Sequence, residues 1–280
     1  MKRIIGLLLA SIIVLAACSG GGNSKKVTVG VASNDTAAWE KVKELAKKDD
    51  IDLEIKHFSD YNVPNKALSD GDIDMNAFQH FAFLNEYKKA HKDAKIEAIS
   101  TTVLAPLGIY SKKVKDIKDV KDDAQVMIPN DVSNQARALK LLESAGLIKL
   151  KDNFGLSGTT KDIKDNPKHL KIKEVDAQQT ARALDDVDIS VINNGVATKA
   201  GLDAKKDPIY LESSTSDAVK PYINLIAVNS KDKDNKTYKK IVDLYHSKEA
   251  QEALKKDTKD GEKAVDLSQK EIKDIEDSLK

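Results

Sequence analysis

Short runs of apolar, often β-branched residues recur along the chain and alternate with longer amphipathic stretches. The apolar runs have the length and composition of buried strands, and they lie at residues 27–32, 53–58, 96–110, 125–128, 171–175, 189–192 and 224–228. Residues 36–48, 80–91 and 133–145 space their apolar positions three and four apart, which predicts helices. Because strands alternate with helices, the pattern predicts α/β domains with largely parallel sheets. From residue 231 onward the pattern is charged and helical, and we expect this segment to serve packing rather than chemistry.

The first eighteen residues differ from this pattern. Lys2 and Arg3 precede an apolar stretch over residues 4–14, and LAAC at residues 15–18 ends in the only cysteine of the chain. A basic start, a short apolar middle and small residues are typical of a secretory signal. We therefore interpret residues 1–17 as a lipoprotein signal peptide and Cys18 as the lipidated N-terminus. A chance cysteine in an ordinary signal is one alternative; a transmembrane anchor is another, although spanning a bilayer takes roughly 20 apolar residues.

The sequence after Cys18 predicts a tether and then an exported body. Residues 19–24 are serine, glycine and asparagine, a composition typical of flexible linkers, so we assign residues 18–26 to the lipidated cysteine and tether. One acylated cysteine holds a protein at a membrane without a spanning helix. We thus expect a lipid-anchored protein on the extracytoplasmic face of the cell membrane. The frequent lysines together with the lipobox favour a Gram-positive surface, and a Gram-negative lipoprotein is the alternative.

Charge and cysteine content limit the function classes. Removal of the signal takes two of the 46 basic residues and no acidic one, which leaves 44 basic against 45 acidic residues. This balance lacks the basic excess of nucleic-acid-binding proteins, so no nucleic-acid partner is predicted. With no cysteine after Cys18, the body has no disulfide and depends on its hydrophobic core.

Common catalytic motifs are missing from the sequence. It contains no glycine-rich phosphate loop, no Gly-x-Ser-x-Gly elbow and no HExxH, so we predict a protein that is not an enzyme and has no catalytic residue. His57, His80 and His91 lack the helical spacing of a histidine pair, and we predict neither a metal site nor a cofactor. Two other classes stay open: a lipid-anchored hydrolase using His80 with Asp74, and a surface adhesin or antigen that needs no closed pocket.

Aromatic and amide side chains follow several predicted strands. Ligands of open α/β sheets bind beyond the carboxyl ends of the strands, so the loops at residues 60–61, 76–80 and 129–131 are the expected position of a site. Asn134 and Arg137 are three residues apart near the start of a predicted helix and so share one face. An arginine fork beside a helix N-terminus suits a carboxylate. A surface ion pair is the alternative for Arg137.

Five segments resemble the NlpA/MetQ family of methionine-binding lipoproteins, in the family's order. They are residues 58–65 (FSDYNVPN), 71–80 (GDIDMNAFQH), 128–139 (IPNDVSNQARAL), 146–152 (GLIKLKD) and 221–226 (PYINLI). The resemblance implies the substrate-binding protein of an ABC importer, whose partners are L-methionine or a methionyl dipeptide and a permease with its ATPase.

The resemblance also implies an architecture. It is an α/β, two-lobed periplasmic-binding-protein-like fold (type II) with the ligand cleft between the lobes. The chain would cross between lobes near Tyr110 and Tyr222. Residues 27–110 plus 225–280 would then form the first lobe, and residues 111–224 the second.

Eight ligand-binding residues are carried over by position from the family. The resemblance implies a side-chain pocket made by Tyr61, Phe78, His80 and Phe83, a carboxylate site made by Asn134 and Arg137, and head-group contacts from Asn193 and Asn224. A thioether favours polarisable aromatic contact, and a zwitterion favours an arginine and amide oxygens. Structural roles are the alternative, since the phenylalanines suit a core, His80 a helix start and the asparagines turns.

Four positions depart from the family pattern. Phe83 stands where relatives commonly carry Tyr, Val132 where they carry Pro, Ala136 where they carry Gly, and Val196 where an aromatic residue is usual. From Val196 we expect a smaller and more apolar pocket wall, which favours a bulkier ligand such as a methionine-containing dipeptide.

Overall fold

Two β-sheets with helices packed against them make up the described part of the chain. The computed structural model describes residues 24–32, 36–215 and 217–280, so the predicted signal, Cys18 and most of the tether lie outside the described residues. The strands are β1 Lys25–Val31, β2 Ile51–His57, β3 Met75–Asn76, β4 Ile96–Leu104, β5 Gly108–Tyr110, β6 Gln125–Pro129, β7 Lys149–Leu150, β8 Ile163–Asp165, β9 Lys171–Val175, β10 Ile189–Ile192, β11 Tyr210–Leu211, β12 Ile223–Asn229 and β13 Lys263–Ala264. The helices are α1 Thr36–Ala46, α2 Pro64–Asp70, α3 Phe81–Ala90, α4 Val132–Ser144, α5 Asn194–Lys199, α6 Lys236–Tyr245, α7 Lys248–Asp257 and α8 Gln269–Ser278.

The chain divides its strands between two main sheets. The first has the order β13-β4-β12-β3-β1-β2 and the second the order β11-β5-β10-β6-β9, while β7 and β8 form a separate pair. Strands up to Leu104 and from Ile223 belong to the first sheet, and those from Gly108 to Leu211 in the two main sheets belong to the second. The chain therefore passes between sheets at residues 105–107 and returns at residues 212–222.

Both main sheets are mixed, so the prediction of largely parallel sheets is wrong. β1 runs parallel to β2 and β3, and β6 runs parallel to β9 and β10. However, β12 is antiparallel to β3 and β4, and β5 is antiparallel to β10 and β11. Parallel neighbours are usually joined by a crossover helix, whereas β5 and β12 enter their sheets directly from the other sheet. The α/β class itself is confirmed.

The predicted strand over residues 96–110 is two strands, one in each sheet. Ala105, Pro106 and Leu107 separate them. Proline has no N–H to donate to a ladder and restricts the residue before it, which ends β4 at this position. The apolar character continues through the break because Leu107 is fully buried, and this continuity is why the pattern resembles a single strand.

Each sheet has its own apolar core. Alternate residues of β1, among them Val29 and Val31, are buried against α1, where the Trp39 ring lies 5.0 Å from the ring of Tyr245. The second sheet buries its inner residues against α4, which contributes Leu139. Within the described residues, no helix combines the length and apolarity that crossing a bilayer requires.

Candidate functional site

All eight predicted site residues line one cavity between the two sheets. The first-sheet side contributes Tyr61, Phe78, His80, Phe83 and Asn224, and the second-sheet side contributes Asn134, Arg137 and Asn193. Most of them follow the end of a strand, as for Asn193 directly after β10. The topology thus brings together residues that are up to 163 positions apart in the sequence.

Three aromatic rings form an apolar wall of this cavity. The ring centroids of Tyr61 and Phe78 are 6.1 Å apart, those of Tyr61 and Phe83 are 6.3 Å apart, and those of Phe78 and Phe83 are 5.6 Å apart. Phe83 meets each of the other two nearly edge to face, at 79°, an arrangement that aromatic pairs favour. The wall offers polarisable contacts to an apolar group.

His80 is neutral and joins the two sides of the cavity. Its Nδ1 accepts a hydrogen bond of 3.1 Å from the backbone N–H of Phe83 at the start of α3, so the ring proton lies on Nε2. That nitrogen lies 3.3 Å from Oδ1 of Asn134 and donates to it. Burial, together with the positive charge of Arg137, lowers the pKa of His80 to about 3. The imidazole therefore acts at neutral pH as a fixed donor and acceptor.

Asn134 is oriented by partners at both ends of its amide. Its Nδ2 donates to Oδ1 and Oδ2 of Asp131 at 3.0 and 3.1 Å. Its Oδ1 accepts from His80 and, at 2.8 Å, from Nδ2 of Asn193. This geometry favours a role for Asn134 in orienting His80 and Asn193.

Two buried amide oxygens at the cavity have no hydrogen-bond partner among the described residues. They are Oδ1 of Asn193 and Oδ1 of Asn194. Asn194 also donates from Nδ2 to the backbone oxygen of Gly261 at 3.0 Å, a second contact between the two sides. Buried polar atoms nearly always have a partner, so these two acceptors indicate a ligand that carries N–H or O–H donors.

Other residues also line the cavity without having been predicted from the sequence, among them Asn194 and Glu262. Asn194 follows Asn193 directly and the doubled asparagine after β10 was an available signal. Glu262 lies in the segment expected to serve packing only, yet it lines the cavity. That expectation is wrong at Glu262, because the segment before β13 returns to the first sheet at the edge of the cleft.

Arg137 is buried in a charged network. Its Nε donates to Oε1 of Glu212 at 2.9 Å, and its Nη2 donates to Oε2 of Glu212 and, at 3.0 Å, to the backbone oxygen of Ala105. The guanidinium carbon lies 4.4 Å from the centroid of the Tyr222 ring. Burial acts to lower the pKa of Arg137, but the charge and hydrogen bonds of Glu212 outweigh it and raise that pKa. The alternative of a surface ion pair is therefore wrong, since only 4% of this side chain is exposed.

Val196 lies in the core of the second-sheet side and does not line the cavity. It is buried beside Tyr110, Leu184 and Ile192. The expectation of a smaller pocket wall at Val196 is therefore wrong, because the side chain of this α5 residue faces the sheet. Val196 therefore does not favour a larger ligand.

The residues of the hydrolase alternative have other partners. Asp74 accepts from the backbone N–H of Thr28 at 2.8 Å and from the Tyr238 hydroxyl at 2.9 Å, whereas His80 is bonded to Phe83 and Asn134. In the part of the chain that the structure describes, no three His, Cys, Asp or Glu side chains are grouped closely enough to hold a metal ion.

Comparison with known proteins identifies the family. The model of the family described as NlpA lipoprotein matches residues 27–266. The chain belongs to this family. The family resemblance predicted from the five segments is thereby confirmed.

Relatives and solved structures agree with this membership. The chain is 42% identical over 257 residues, covering 90% of this chain and 93% of the relative, to the D-methionine-binding lipoprotein MetQ of Salmonella typhimurium. It is similar to the crystal structure of protein PG110 from Staphylococcus aureus, with 80% identity, a TM-score of 0.90 and coverage of 91% of this chain and 100% of that one. It is also similar to a nutrient binding protein from Burkholderia cenocepacia bound to methionine, with 45% identity, a TM-score of 0.81 and coverage of 85% and 99%. The predicted two-lobed binding-protein fold is confirmed.

Proposed function

We propose that this protein is the membrane-anchored substrate-binding lipoprotein of an ABC importer and that it captures methionine or a methionine-containing dipeptide. The observation that carries the proposal is an aromatic wall beside two buried oxygens, those of Asn193 and Asn194, which have no hydrogen-bond partner among the described residues. The MetQ relatives and the methionine-bound neighbour support the same ligand class.

Each part of methionine has a matching group in the cavity. The thioether would contact Tyr61, Phe78 and Phe83, because sulfur favours aromatic rings. The carboxylate would accept from Arg137. The ammonium would donate to the oxygens of Asn193 and Asn194, and the charge of Glu262 at the same cavity supports this orientation.

The two sheets supply the cores of the two proposed lobes. We place the crossings at residues 105–107 and 212–222, close to the expected division into 27–110 plus 225–280 and 111–224. Opening the cleft would break the bonds from His80 to Asn134 and from Asn194 to Gly261. A ligand that bridges both sides would favour the closed arrangement, which is the form we propose the permease recognises.

Delivery requires an anchor and a transporter. We propose that Cys18 carries the lipid and that the protein passes its ligand to a permease with its ATPase, without covalent chemistry of its own. The extracytoplasmic face of a Gram-positive membrane is the proposed location, on the basis of the frequent lysines and the lipobox.

A thermal-shift screen of amino acids and dipeptides tests this function. A ligand at about one hundred times its dissociation constant adds roughly 2.7 kcal/mol to the free energy of unfolding. We expect methionine compounds to raise the melting temperature most, and a comparison of L-methionine, D-methionine and methionyl dipeptides assigns the preferred form. Stabilisation by leucine or glutamate in preference to methionine contradicts the proposal, and stabilisation by no compound favours the adhesin alternative.

A further inference from the structure

Glu212 lies where the two crossing segments meet, that is, the segments 105–107 and 212–222 by which the chain passes between the sheets. It is the first residue after β11 and pairs with the other crossing, since its backbone N–H donates to the Leu107 oxygen at 2.9 Å. Its Oε2 accepts from the backbone N–H of Leu107 at 3.1 Å. The carboxylate also accepts both hydrogen bonds from Arg137, and only 12% of the Glu212 side chain is exposed.

Arg137 extends this contact to the rest of both crossings. Its bond to the Ala105 oxygen reaches the start of the first crossing, and its packing on the Tyr222 ring reaches the end of the second. The ion pair of Arg137 and Glu212 thus joins α4 to both crossing segments, about which the two proposed lobes would rotate.

The pairing also leaves one nitrogen of the guanidinium without a hydrogen bond to the described residues. A bidentate carboxylate holds the planar guanidinium in one orientation. Nε and Nη2 donate to Glu212 and Ala105, and the described residues provide no hydrogen-bond acceptor for Nη1. Since Arg137 lines the cavity, Nη1 is the group left to donate to a ligand.

We infer that Glu212 is the positioning residue of the site: it holds Arg137 against both crossings so that Nη1 faces the ligand carboxylate. The carboxylate part of this inference rests on the proposed function, whereas the tie between the crossings does not. Removal of the Glu212 charge releases the guanidinium, and recognition of the carboxylate is lost with it.

The test compares L-methionine with methioninamide, in which an uncharged amide replaces the carboxylate. Glu212→Gln keeps the size of the side chain but turns an N–H donor towards the guanidinium. By titration calorimetry, with competition where binding is weak, we expect Glu212→Gln to weaken L-methionine binding by more than about tenfold and methioninamide binding by much less. The matched control is Glu174→Gln, an exposed glutamate of β9, which leaves both affinities unchanged.

A ligand-independent readout separates this inference from the proposed function. Hydrogen–deuterium exchange at the Leu107 amide should accelerate in Glu212→Gln and not in Glu174→Gln, because the acceptor of that amide is altered. Equal loss of affinity for both ligands, or wild-type affinity for L-methionine, overturns the positioning role. If the wild type binds no methionine compound, the proposed function fails. Unchanged exchange at the Leu107 amide in Glu212→Gln would in addition show that Glu212 does not connect the two crossing segments.

A second variant covers the case in which Glu212→Gln does not fold. Glu212→Asp keeps the charge on a shorter arm that cannot hold Nε and Nη2 together with Leu107. We expect an intermediate loss of affinity for L-methionine with little loss for methioninamide. An equal loss for the two ligands contradicts the inference.

Discussion

The positive charge of Arg137 is paired with the carboxylate of Glu212 within the protein itself. In Arg137→Ala the Glu212 carboxylate stays buried without its partner, and truncation of one member of such a pair costs about 3 to 5 kcal/mol. We expect methionine binding to weaken by well over tenfold and the melting temperature to fall. Calorimetry and thermal unfolding measure the two effects. Arg182→Ala, at an exposed position, is the control, and wild-type affinity in Arg137→Ala would show that another group holds the carboxylate.

His80 makes the stability of the protein depend on pH. Its pKa is about 3 in the folded state and about 6.5 in an unfolded chain, so between these values the unfolded state binds more protons. Stability contributed by the neutral ring is complete above pH 6.5 and is lost as the pH falls towards 3, by up to about 1.4 kcal/mol per pH unit.

Comparison with His80→Gln isolates this contribution. We expect the wild type to lose stability faster than the variant when urea unfolding is measured from pH 7 down to pH 4. Parallel pH profiles for the two proteins would show that His80 is charged, or not buried, in the folded state.

The sequence predicts a strand or helix correctly where the burial of that element follows a regular pattern. The apolar periodicity of α1 comes from burial of one face of the helix, and the β-branched composition of β10 comes from burial of the whole strand. A local sequence pattern records both. The break in residues 96–110 was not predictable from apolarity, because Leu107 within the break is itself fully buried. The two-residue strand β3 is too short to produce a pattern.

The site was predictable only in part for a related reason. Aromatic and amide residues after strands indicated its position, and the family segments supplied the individual residues. Glu212 and Glu262 gave no signal. Glu212 acts through Arg137, which is 75 residues away in the sequence, and Glu262 reaches the cavity only through the course of the folded chain. Long-range pairs of this kind depend on the topology of both sheets.

Gly30 of β1 is predicted to be required by the packing of its sheet. A Cβ at this position would lie 2.7 Å from Cδ1 of Ile73 and 2.8 Å from Cε2 of Phe58. We expect Gly30→Ala to lower the free energy of unfolding by about 1 to 3 kcal/mol, as overpacking does. Gly155→Ala, where a Cβ meets no atom within 4 Å, is the control in the same denaturant titration. Equal stabilities of the two variants would contradict the packing argument.

At the scale of the whole molecule, the proposed role in transport requires that the protein stay at the membrane. Cys18 is the proposed lipidation site, so Cys18→Ser should abolish incorporation of a labelled fatty acid and move the protein from the membrane fraction to the soluble or unprocessed fraction. Metabolic labelling followed by fractionation measures both. A wild-type protein without label would contradict the lipoprotein assignment.

The proposed function depends on binding of a methionine compound in the cavity between the two sheets, with Arg137 as a contact. Native mass spectrometry measures this binding on protein purified without refolding and again after addition of L-methionine or a methionyl dipeptide. We expect a one-to-one adduct with the mass of a methionine compound in the wild type and its loss in Arg137→Ala. If the wild type forms no adduct with any methionine compound, or if the adduct persists undiminished in Arg137→Ala, the cavity does not bind its ligand in this way.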